Sequence, residues 1–250
     1  MVNVLMHGCN GRMGQMISQM IKNEDELQIV AGVDSYTQVL NSYPVYASIL
    51  DVQESVDVII DFSTASAMKD LMMYCQEKKT PVVLCTTGLS EEQVTEIEQL
   101  SQVVPVLKSA NMSLGVNVLF KLVQEAARSL ANAGFDIEIV EKHHNQKIDA
   151  PSGTALAIAD AINEAMEHKY QYIFDRSSTR EKRAENELGI SAVRGGSIVG
   201  EHDVIYAGLD EVIEIRHTAY SRSIFANGAI SAARFLVGQT PRMYDMSDVI

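Results

Sequence analysis

The segment at residues 141–155, EKHHNQKIDAPSGTA, concentrates titratable and anion-binding side chains within a short stretch. His143 can exchange a proton near neutral pH, because an unperturbed imidazole titrates at about pH 6.5. Lys147 adds a positive charge, and the Ser-Gly-Thr sequence at 152–154 opens an Ala-rich helix pattern. The first N–H groups of a helix have no partner within the helix, so they attract an anion. The segment therefore predicts a proton-transfer group beside a receptor for a carboxylate or phosphate.

The adjacent histidines His143 and His144 also raise the alternative of a zinc hydrolase. Neighbouring side chains of an extended segment point to opposite faces, so only one of the two can easily serve a given pocket. No third His or Cys lies at a familiar zinc-ligand spacing, and Lys147 would repel a cation. We therefore favour proton transfer and anion binding over a metal site.

A glycine turn, GCNGRMG at residues 8–14, follows the first apolar run and opens a helix pattern. Glycines at these positions allow a tight turn and a close approach of the backbone to a pyrophosphate. Asp34 ends the second apolar run, where a carboxylate can accept hydrogen bonds from the adenine-ribose hydroxyls. A single aspartate at a strand end is often merely solvated. The order of strand, glycine turn, helix, strand and acid nevertheless predicts a dinucleotide site.

The glycine turn and Asp34 must be positioned by the elements of the first hundred residues. Short runs rich in Val, Ile and Leu alternate there with helix patterns, which indicates βαβ units around a buried parallel sheet. Helices are expected at about 13–23, 67–79 and 91–102.

The pattern changes after about residue 110. A long helix is expected at about 116–133, followed by a strand that carries the histidines and by a helix at 154–166. Three β-rich runs then follow with no helix between them, which favours antiparallel or mixed pairing in a second, α+β domain. A last helix is expected at about 223–237.

The composition is that of a soluble globular protein, since 46% apolar residues in a chain of 250 can bury a substantial core. The chain begins in a strand pattern without a basic, apolar leader and lacks a long apolar run, so we expect a cytoplasmic location. The net charge of −13 disfavours nucleic acid and anionic membranes as partners, whereas local cations can still bind a small anion. The cysteines lack metal-ligand spacing and are expected to be reduced thiols without chemistry: Cys9, Cys75 and Cys85.

The sequence resembles the 4-hydroxy-tetrahydrodipicolinate reductases, or dihydrodipicolinate reductases, of the diaminopimelate route to lysine. EKHHNQKIDAPSGTA looks like the signature segment of that family, and further blocks extend the likeness over the whole chain. In chain order these blocks are GCNGRMG, DFST with TTG, SANMSLGVN, VRGGSIVGEH, EIRHTAYSRSIFANGA and YDMSDVI.

The resemblance implies an α/β fold with a Rossmann-like dinucleotide-binding domain at residues 1–110 and 218–250. An α+β mixed-sheet domain at residues 111–217 would bind the substrate and assemble a homotetramer through its sheet. The implied activity is an oxidoreductase that reduces 4-hydroxy-tetrahydrodipicolinate, with loss of water, to tetrahydrodipicolinate with NADH or NADPH. The implied partner is a small dicarboxylate, and neither nucleic acid nor a membrane is expected.

The resemblance also implies roles for individual residues. The first histidine and the lysine of the signature are the family's proposed catalytic pair, which assigns those roles to His143 and Lys147. The second histidine and the Ser-Gly-Thr turn are held to bind the substrate carboxylates, which here are His144, Ser152, Gly153 and Thr154. The family's cofactor positions fall here on Gly8, Asn10, Gly11, Arg12, Met13, Asp34, Phe62, Ser63, Thr86, Gly88, Ala110, Asn111 and Met112.

The sequence departs from the family pattern at two places close to the expected cofactor site. Ala65 follows DFST where many relatives have proline, and LKSANMS replaces the more frequent version with proline or phenylalanine. Neither departure removes a functional side chain, although both bear on how the nicotinamide half is held.

No arginine or lysine follows Asp34 in the sequence Ser35-Tyr36-Thr37, so a 2′-phosphate would meet a carboxylate with little compensation. We therefore expect NADH to serve at least as well as NADPH. A nicotinamide-sensing regulator with a Rossmann domain is the non-enzyme alternative. The number of substrate-type polar groups disfavours it.

Overall fold

The structure, a computed structural model, describes residues 1–177 and 179–250. The chain forms two compact units. The first unit comprises Met1–Ser113 together with Ser223–Ile250, and the second comprises Leu114–Arg222. Among the helices of the described residues, none combines the length and the apolar character needed to cross a membrane.

The first unit is built on a parallel sheet of seven strands. In chain order the strands are β1 (Val2–His7), β2 (Leu27–Val33), β3 (Val45–Tyr46), β4 (Val58–Asp61), β5 (Val82–Leu84), β6 (Val106–Lys108) and β12 (Met243–Tyr244). Their spatial order is β12-β6-β5-β4-β1-β2-β3. The central strands are buried on both faces, which explains why they read as continuous apolar runs rather than as alternating patterns.

Four helices pack on this sheet or on one another: α1 (Arg12–Ile21), α2 (Met68–Lys78), α3 (Glu91–Ser101) and α6 (Ser223–Leu236). Local sequence signals set their ends. Helix α3 begins where Ser90 and Gln93 form a reciprocal capping box. Helix α2 ends at Lys78, and the next residue, Lys79, takes the left-handed conformation common after the last helical turn.

The second unit contains the helices α4 (Leu114–Leu130) and α5 (Gly153–Ala165) and a sheet of five strands. Its strands are β7 (Asp136–His143), β8 (Gln171–Ile173), β9 (Glu187–Arg194), β10 (Gly200–Ala207) and β11 (Val212–Ala219). Their spatial order is β11-β10-β7-β9-β8. Strand β10 is antiparallel to both of its neighbours, whereas β9 is parallel to β7 and to β8.

The two faces of this second sheet differ. Every other residue of β7, including Ile137 and Ile139, is buried in a core that also contains residues of α4 and α5. The next two positions on that same face are Glu141 and His143, so the apolar face of the strand ends in titratable side chains. The opposite face, termed the open face below, carries the intervening residues, including Val140 and Lys142.

The predicted fold class is confirmed, with a parallel α/β sheet in one unit and a mixed sheet with helices in the other. The expected helices are all present, each with ends within a few residues of the predicted ones. Three short strands, β3, β8 and β12, were not anticipated. Strands of two or three residues are too short for a periodic pattern, so they are defined by the neighbour with which they pair.

Candidate active site

The glycine turn connects β1 to α1 in a conformation that requires glycine. Gly8 has a φ of 78°, and a Cβ placed on it would lie 2.5 Å from the carbonyl oxygen of Phe62. A Cβ on Gly14 would overlap the carbonyl oxygen of Gly8. The backbone of the turn thus packs against the end of β4, and the start of α1 remains open to a ligand, with Gly11 and Arg12 exposed.

Asp34 is fastened to the glycine turn through its carboxylate. One oxygen accepts the N–H of Asn10 at 2.9 Å, and the other accepts the N–H of Tyr36 at 2.9 Å. The side chain of Asn10 donates to the Tyr36 carbonyl at 2.5 Å and accepts from Asn41 at 2.8 Å. Asn10 therefore anchors the segment after β2, and a direct contact between its side chain and the cofactor stays a prediction.

A buried carboxylate, Asp61, organises the ends of the neighbouring strands. It is fully buried, lies 2.9 Å from Nδ1 of His7, and accepts the Thr86 hydroxyl at 2.6 Å. Its other contact is the backbone N–H of Ser63 at 3.3 Å. These contacts connect the ends of β1, β4 and β5. Thr86, which is expected to contact the cofactor, is itself buried in this network.

A cavity of about 450 Å³ lies at the carboxyl ends of these strands, the edge where open α/β sheets bind their ligands. It is lined by five of the residues predicted for the cofactor: Gly8, Gly11, Asp34, Phe62 and Ser63. The Gly8 and Gly11 backbone at the cavity wall, an anchored carboxylate and the exposed start of α1 suit a dinucleotide.

The remaining predicted cofactor residues do not line this cavity. Met13 is half-buried in the first turn of α1, and Gly88 is exposed after β5 with a φ of 72°. In the segment after β6, Ala110 is exposed, Asn111 is half-buried and Met112 is buried. Contacts of these residues with a cofactor stay predictions.

In the second unit, His143 ends strand β7 and is held by Glu141. Its Nδ1 lies 2.6 Å from Oε2 of Glu141, a carboxylate with no exposed surface. The two side chains meet because residues two apart on a strand share one face. The same carboxylate accepts two hydrogen bonds from Arg194 on β9, at 2.7 and 2.8 Å, and one from the Ser152 N–H at 2.9 Å.

These contacts set the protonation of the pair. Burial pushes the pKa of Glu141 upward, but the hydrogen bonds from Arg194, His143 and Ser152 outweigh burial, and the pKa lies below its ordinary value. Burial lowers the pKa of His143, and the charges of Lys147 and Arg194 act in the same direction. The hydrogen bond and charge of Glu141 oppose that decrease without cancelling it.

Ser152 caps helix α5, and its polar groups are already engaged. Its hydroxyl oxygen accepts the Ala155 N–H at 3.2 Å and lies 3.2 Å from Nε2 of His202. Burial, aided by the charge of His143, lowers the pKa of His202 to about 4, so this imidazole is neutral at neutral pH and shares a hydrogen bond with the Ser152 hydroxyl. Ser152 is 1% exposed and its N–H binds Glu141, whereas Gly153 is exposed.

The other predicted residues of the segment lie in the loop between β7 and α5 or at its ends. Lys147 is paired with Asp149 at 2.9 Å, and this hydrogen bond lowers the pKa of Asp149. His144 is half-buried, and its Nδ1 is buried without a hydrogen-bond partner. Thr154 is half-buried in the first turn of α5. The structure therefore brings His143, Lys147 and the start of α5 into one region of the second unit.

Within residues 1–177 and 179–250, no group of three or more His, Cys, Asp or Glu side chains is arranged to hold a metal ion. The cysteines are unpaired, and burial raises the pKa of each of them, that of Cys9 to about 12. Their thiols are therefore protonated at neutral pH and poor nucleophiles.

Four of the residues that form these networks have no role predicted from the sequence: Asp61, Glu141, Arg194 and His202. A signal existed for Glu141, because it precedes His143 by two positions on one strand and must share its face. No local signal existed for Arg194 or His202, which reach the site only through the pairing of β9 and β10 with β7.

Comparison with known sequences shows the same family over nearly the whole chain. Residues 2–112 match the family described as dihydrodipicolinate reductase, N-terminus, and residues 115–250 match dihydrodipicolinate reductase, C-terminus. A relative from Caldanaerobacter subterraneus subsp. tengcongensis is 53% identical over 250 residues, covering 100% of this chain and 98% of that protein. One from Clostridium tetani is 50% identical over 246 residues, covering 98% and 96%. Both relatives are named 4-hydroxy-tetrahydrodipicolinate reductase.

Among solved structures, the fold is similar to a dipicolinate-bound dihydrodipicolinate reductase from Paenisporosarcina sp. TG-14. The TM-score is 0.84 at 24% identity, and the alignment covers 100% of both chains. A probable dehydrogenase from Thermotoga maritima aligns with a TM-score of 0.60 at 12% identity, covering 99% of this chain and 92% of the other. At these identities the likeness concerns the fold.

Proposed function

We propose, because this chain belongs to the dihydrodipicolinate reductase family, that it reduces 4-hydroxy-tetrahydrodipicolinate to tetrahydrodipicolinate with a nicotinamide dinucleotide. This reaction belongs to lysine and diaminopimelate biosynthesis, and a cytoplasmic location is part of the proposal. The observation that carries it is the second unit's cluster of a buried His143, the cation Lys147 and the start of helix α5, where Gly153 is exposed and binds the carboxylate of Asp149. Such a cluster suits a small dianion that must receive a proton.

The start of α5 provides the receptor for a substrate carboxylate. The N–H of Gly153 suits this role, because it already binds the carboxylate of Asp149, which a substrate carboxylate would replace, whereas the N–H and hydroxyl of Ser152 are used within the protein. We therefore assign to Ser152 the shaping of the turn rather than the main contact. A contact of Thr154 with the substrate stays a prediction. Lys147 and His144 supply positive charge and a ring nitrogen for the same dianion, with the substrate carboxylate taking the place of Asp149 on Lys147.

His143 holds the proton that the reduced substrate requires. Burial depresses the pKa of His143, so an imidazole without substrate loses its proton more readily than a solvated one. A bound dianion favours the charged imidazolium, so His143 is protonated and can act as the acid when substrate is present. Lys147 stabilises negative charge that develops on the substrate during reduction.

The first unit would hold the dinucleotide through the turn at Gly8 and Gly11, the carboxylate of Asp34, and the strand end at Phe62 and Ser63. When bound, the nicotinamide supplies the hydride. The protein contributes binding, orientation and the exclusion of water.

A coupled assay tests the activity directly. A synthase supplied with pyruvate and aspartate semialdehyde generates the substrate, and the loss of NADH or NADPH is followed by absorbance. We expect cofactor consumption that requires both the synthase and this protein. Cofactor consumption at the background rate, with the synthase shown to be active, would contradict the proposed function.

Asp34 should determine the choice between the two cofactors, because it occupies the position expected to face the ribose 2′-hydroxyl. The wild-type protein should use NADH at least as well as NADPH, since a 2′-phosphate would be repelled by this carboxylate. Asp34→Ala should weaken NADH use and relieve the discrimination against NADPH. The measurement is kcat/KM for both cofactors in both proteins.

Glu54→Ala is a suitable control, because Glu54 is a carboxylate of the same unit whose partner is Tyr46. It should leave the ratio of the two kcat/KM values unchanged. A strong preference of the wild type for NADPH, unaltered in Asp34→Ala, would contradict the assignment of Asp34.

We also propose a homotetramer that assembles through the open face of the second sheet. Apolar side chains on this face are half-buried or exposed, with Val193 at 45% and Val212 at 57%. The face also carries charges that satisfy one another, since Lys142 binds both Glu201 and Asp203 at 3.0 Å. A sheet face that mixes apolar and paired charged groups suits a symmetric interface.

Light scattering coupled to size exclusion measures the assembly. We expect a particle of about four times the 27.5 kDa chain mass. Ile205→Asp, at a half-buried position on the open face, should reduce the mass, whereas Leu209→Asp at a position 98% exposed should not. A tetramer that survives Ile205→Asp would place the interface elsewhere, and a monomeric wild type would contradict the assembly.

A further inference from the structure

Glu141 is a carboxylate with no exposed surface, and its two oxygens accept four hydrogen bonds. One comes from His143, two come from Arg194, and one comes from the N–H of Ser152, the N-cap of α5. A buried carboxylate is costly unless its charge is paired and its lone pairs are used. Its contacts therefore point to a defined task beside His143.

The contact with Glu141 determines which nitrogen of His143 can exchange a proton. A carboxylate without a proton can only accept, so the 2.6 Å contact requires a proton on Nδ1 of His143. In the neutral imidazole the remaining nitrogen, Nε2, then carries no proton and is the atom that gains or loses one. The ring is further confined by His202, whose centroid lies 5.3 Å away in an edge-to-face arrangement.

Arg194 fixes the carboxylate in turn. It binds both oxygens of Glu141 in a two-pronged contact, and the same guanidinium donates to the carbonyl oxygen of Asp149 at 2.6 Å. Asp149 is the partner of Lys147. One arginine on β9 thus connects the residue that holds His143 with the loop that carries Lys147.

We propose that Glu141 and Arg194 form a positioning pair for the reaction. Glu141 holds His143 through Nδ1 so that Nε2 exchanges the proton with the substrate, and Arg194 holds Glu141 and offsets its charge. The inference rests on the proposed role of His143, but the state of the imidazole can be measured without substrate. Neither member of the pair touches the substrate.

The charged and titratable groups around His143 come from several elements. Glu141 lies on its own strand, Lys147 on the following loop, Arg194 on β9 and His202 on β10. His217 on β11 pairs with His202 across the two strands. Burial lowers the pKa of His202 and of His217, so neither carries a charge at neutral pH. The charges that act on His143 near neutrality are therefore those of Glu141, Arg194 and Lys147.

Removing the charge of Glu141 and removing the charge of Arg194 should move the pKa of His143 in opposite directions. Glu141→Gln removes the negative charge that favours imidazolium, so the titration should move to lower pH. Arg194→Met removes a positive charge, so the titration should move to higher pH. Activity that depends on the protonated imidazole falls as pH rises through its pKa, so the descending limb of kcat/KM should move in the same two directions.

Nitrogen-15 NMR of protein labelled at histidine reads the ring state directly, with the His143 signals identified by their loss in His143→Ala. The wild type should show Nδ1 protonated and Nε2 unprotonated in the neutral ring. In Glu141→Gln the side-chain amide can donate to Nδ1, so the tautomer should be reversed. The reversed tautomer should lower kcat by about tenfold or more.

Glu138→Gln is the matched control, because Glu138 lies on the same strand, points to the opposite face and is also bound by an arginine, Arg183. It should change neither the His143 tautomer nor the pH profile. Arg194→Lys retains the charge without the two-pronged contact, so its pH profile should lie closer to the wild type than that of Arg194→Met. Thermal unfolding of each variant verifies that it is folded.

A wild-type His143 with its proton on Nε2 would overturn the proposal, whatever the variants do. Shifts of both variants in the same direction would also overturn it, since they would indicate a general loss of structure. An inactive wild type with the expected tautomer would instead contradict the proposed function and leave the positioning pair intact.

Discussion

Replacing His143 by alanine is expected to lower kcat by roughly a hundredfold or more, the usual scale for losing a general acid, while NADH binding is retained. The reason is that the protein holds this imidazole by one nitrogen, against Glu141, and that the other exchanges the proton with the substrate in the proposed mechanism. Steady-state kinetics gives kcat and KM, and NADH affinity is measured separately by fluorescence.

His168→Asn is the control for the loss of a histidine in the same unit. His168 is exposed and has a φ of 59°, a conformation that asparagine tolerates. This variant should keep wild-type kinetics. If His143→Ala retained a near-normal kcat while NADH binding was lost, His143 would belong to the cofactor site, and its assignment as the general acid would be wrong.

Replacing Lys147 by alanine should impair both substrate binding and kcat. Its side chain is 22% exposed and paired with Asp149, so its ammonium is partly shielded from water and can make a charge-assisted bond to a carboxylate. Losing such a bond costs about 1.5–3 kcal/mol, up to roughly a hundredfold in affinity. The loss of kcat adds to this, because the ammonium also stabilises charge that develops during reduction.

Calorimetry with dipicolinate, a small dicarboxylate, separates binding from chemistry in this variant. Lys169→Ala removes a positive charge from an exposed position of the same unit and should bind dipicolinate as the wild type does. Equal affinity of Lys147→Ala and the wild type for dipicolinate would show that Lys147 does not hold a carboxylate. An effect on kcat alone would then restrict Lys147 to the chemical step.

Local signals in the sequence predicted the frame of the cofactor site. The glycine turn and Asp34 were found from the order of strand, turn, helix and strand, and the structure places Gly8, Gly11 and Asp34 around one cavity. The helix ends also depend on local signals, since the caps found at Ser90 and Ser152 act within one turn. Signals of this kind involve neighbours along the chain and can be read without the fold.

The resemblance to the family was likewise a property of the sequence alone, because it rests on ordered blocks that include the signature at residues 141–155. It predicted the family to which the chain belongs and the residues expected to bind and react. It did not predict how those residues are held. Ser152 illustrates the difference, since its sequence position suggested a ligand contact while its hydrogen bonds go to Glu141, Ala155 and His202.

Only the tertiary structure decided what surrounds His143. Arg194 follows Glu141 by 53 residues and reaches it because β9 pairs in parallel with β7, with His143 opposite Arg194 in the register. His202 comes from β10, which pairs with β7 in the antiparallel direction. A shift of one residue in either pairing would turn these side chains to the open face, because successive residues of a strand alternate between faces. The sequence thus determined which groups can react, whereas strand register determined which of them meet.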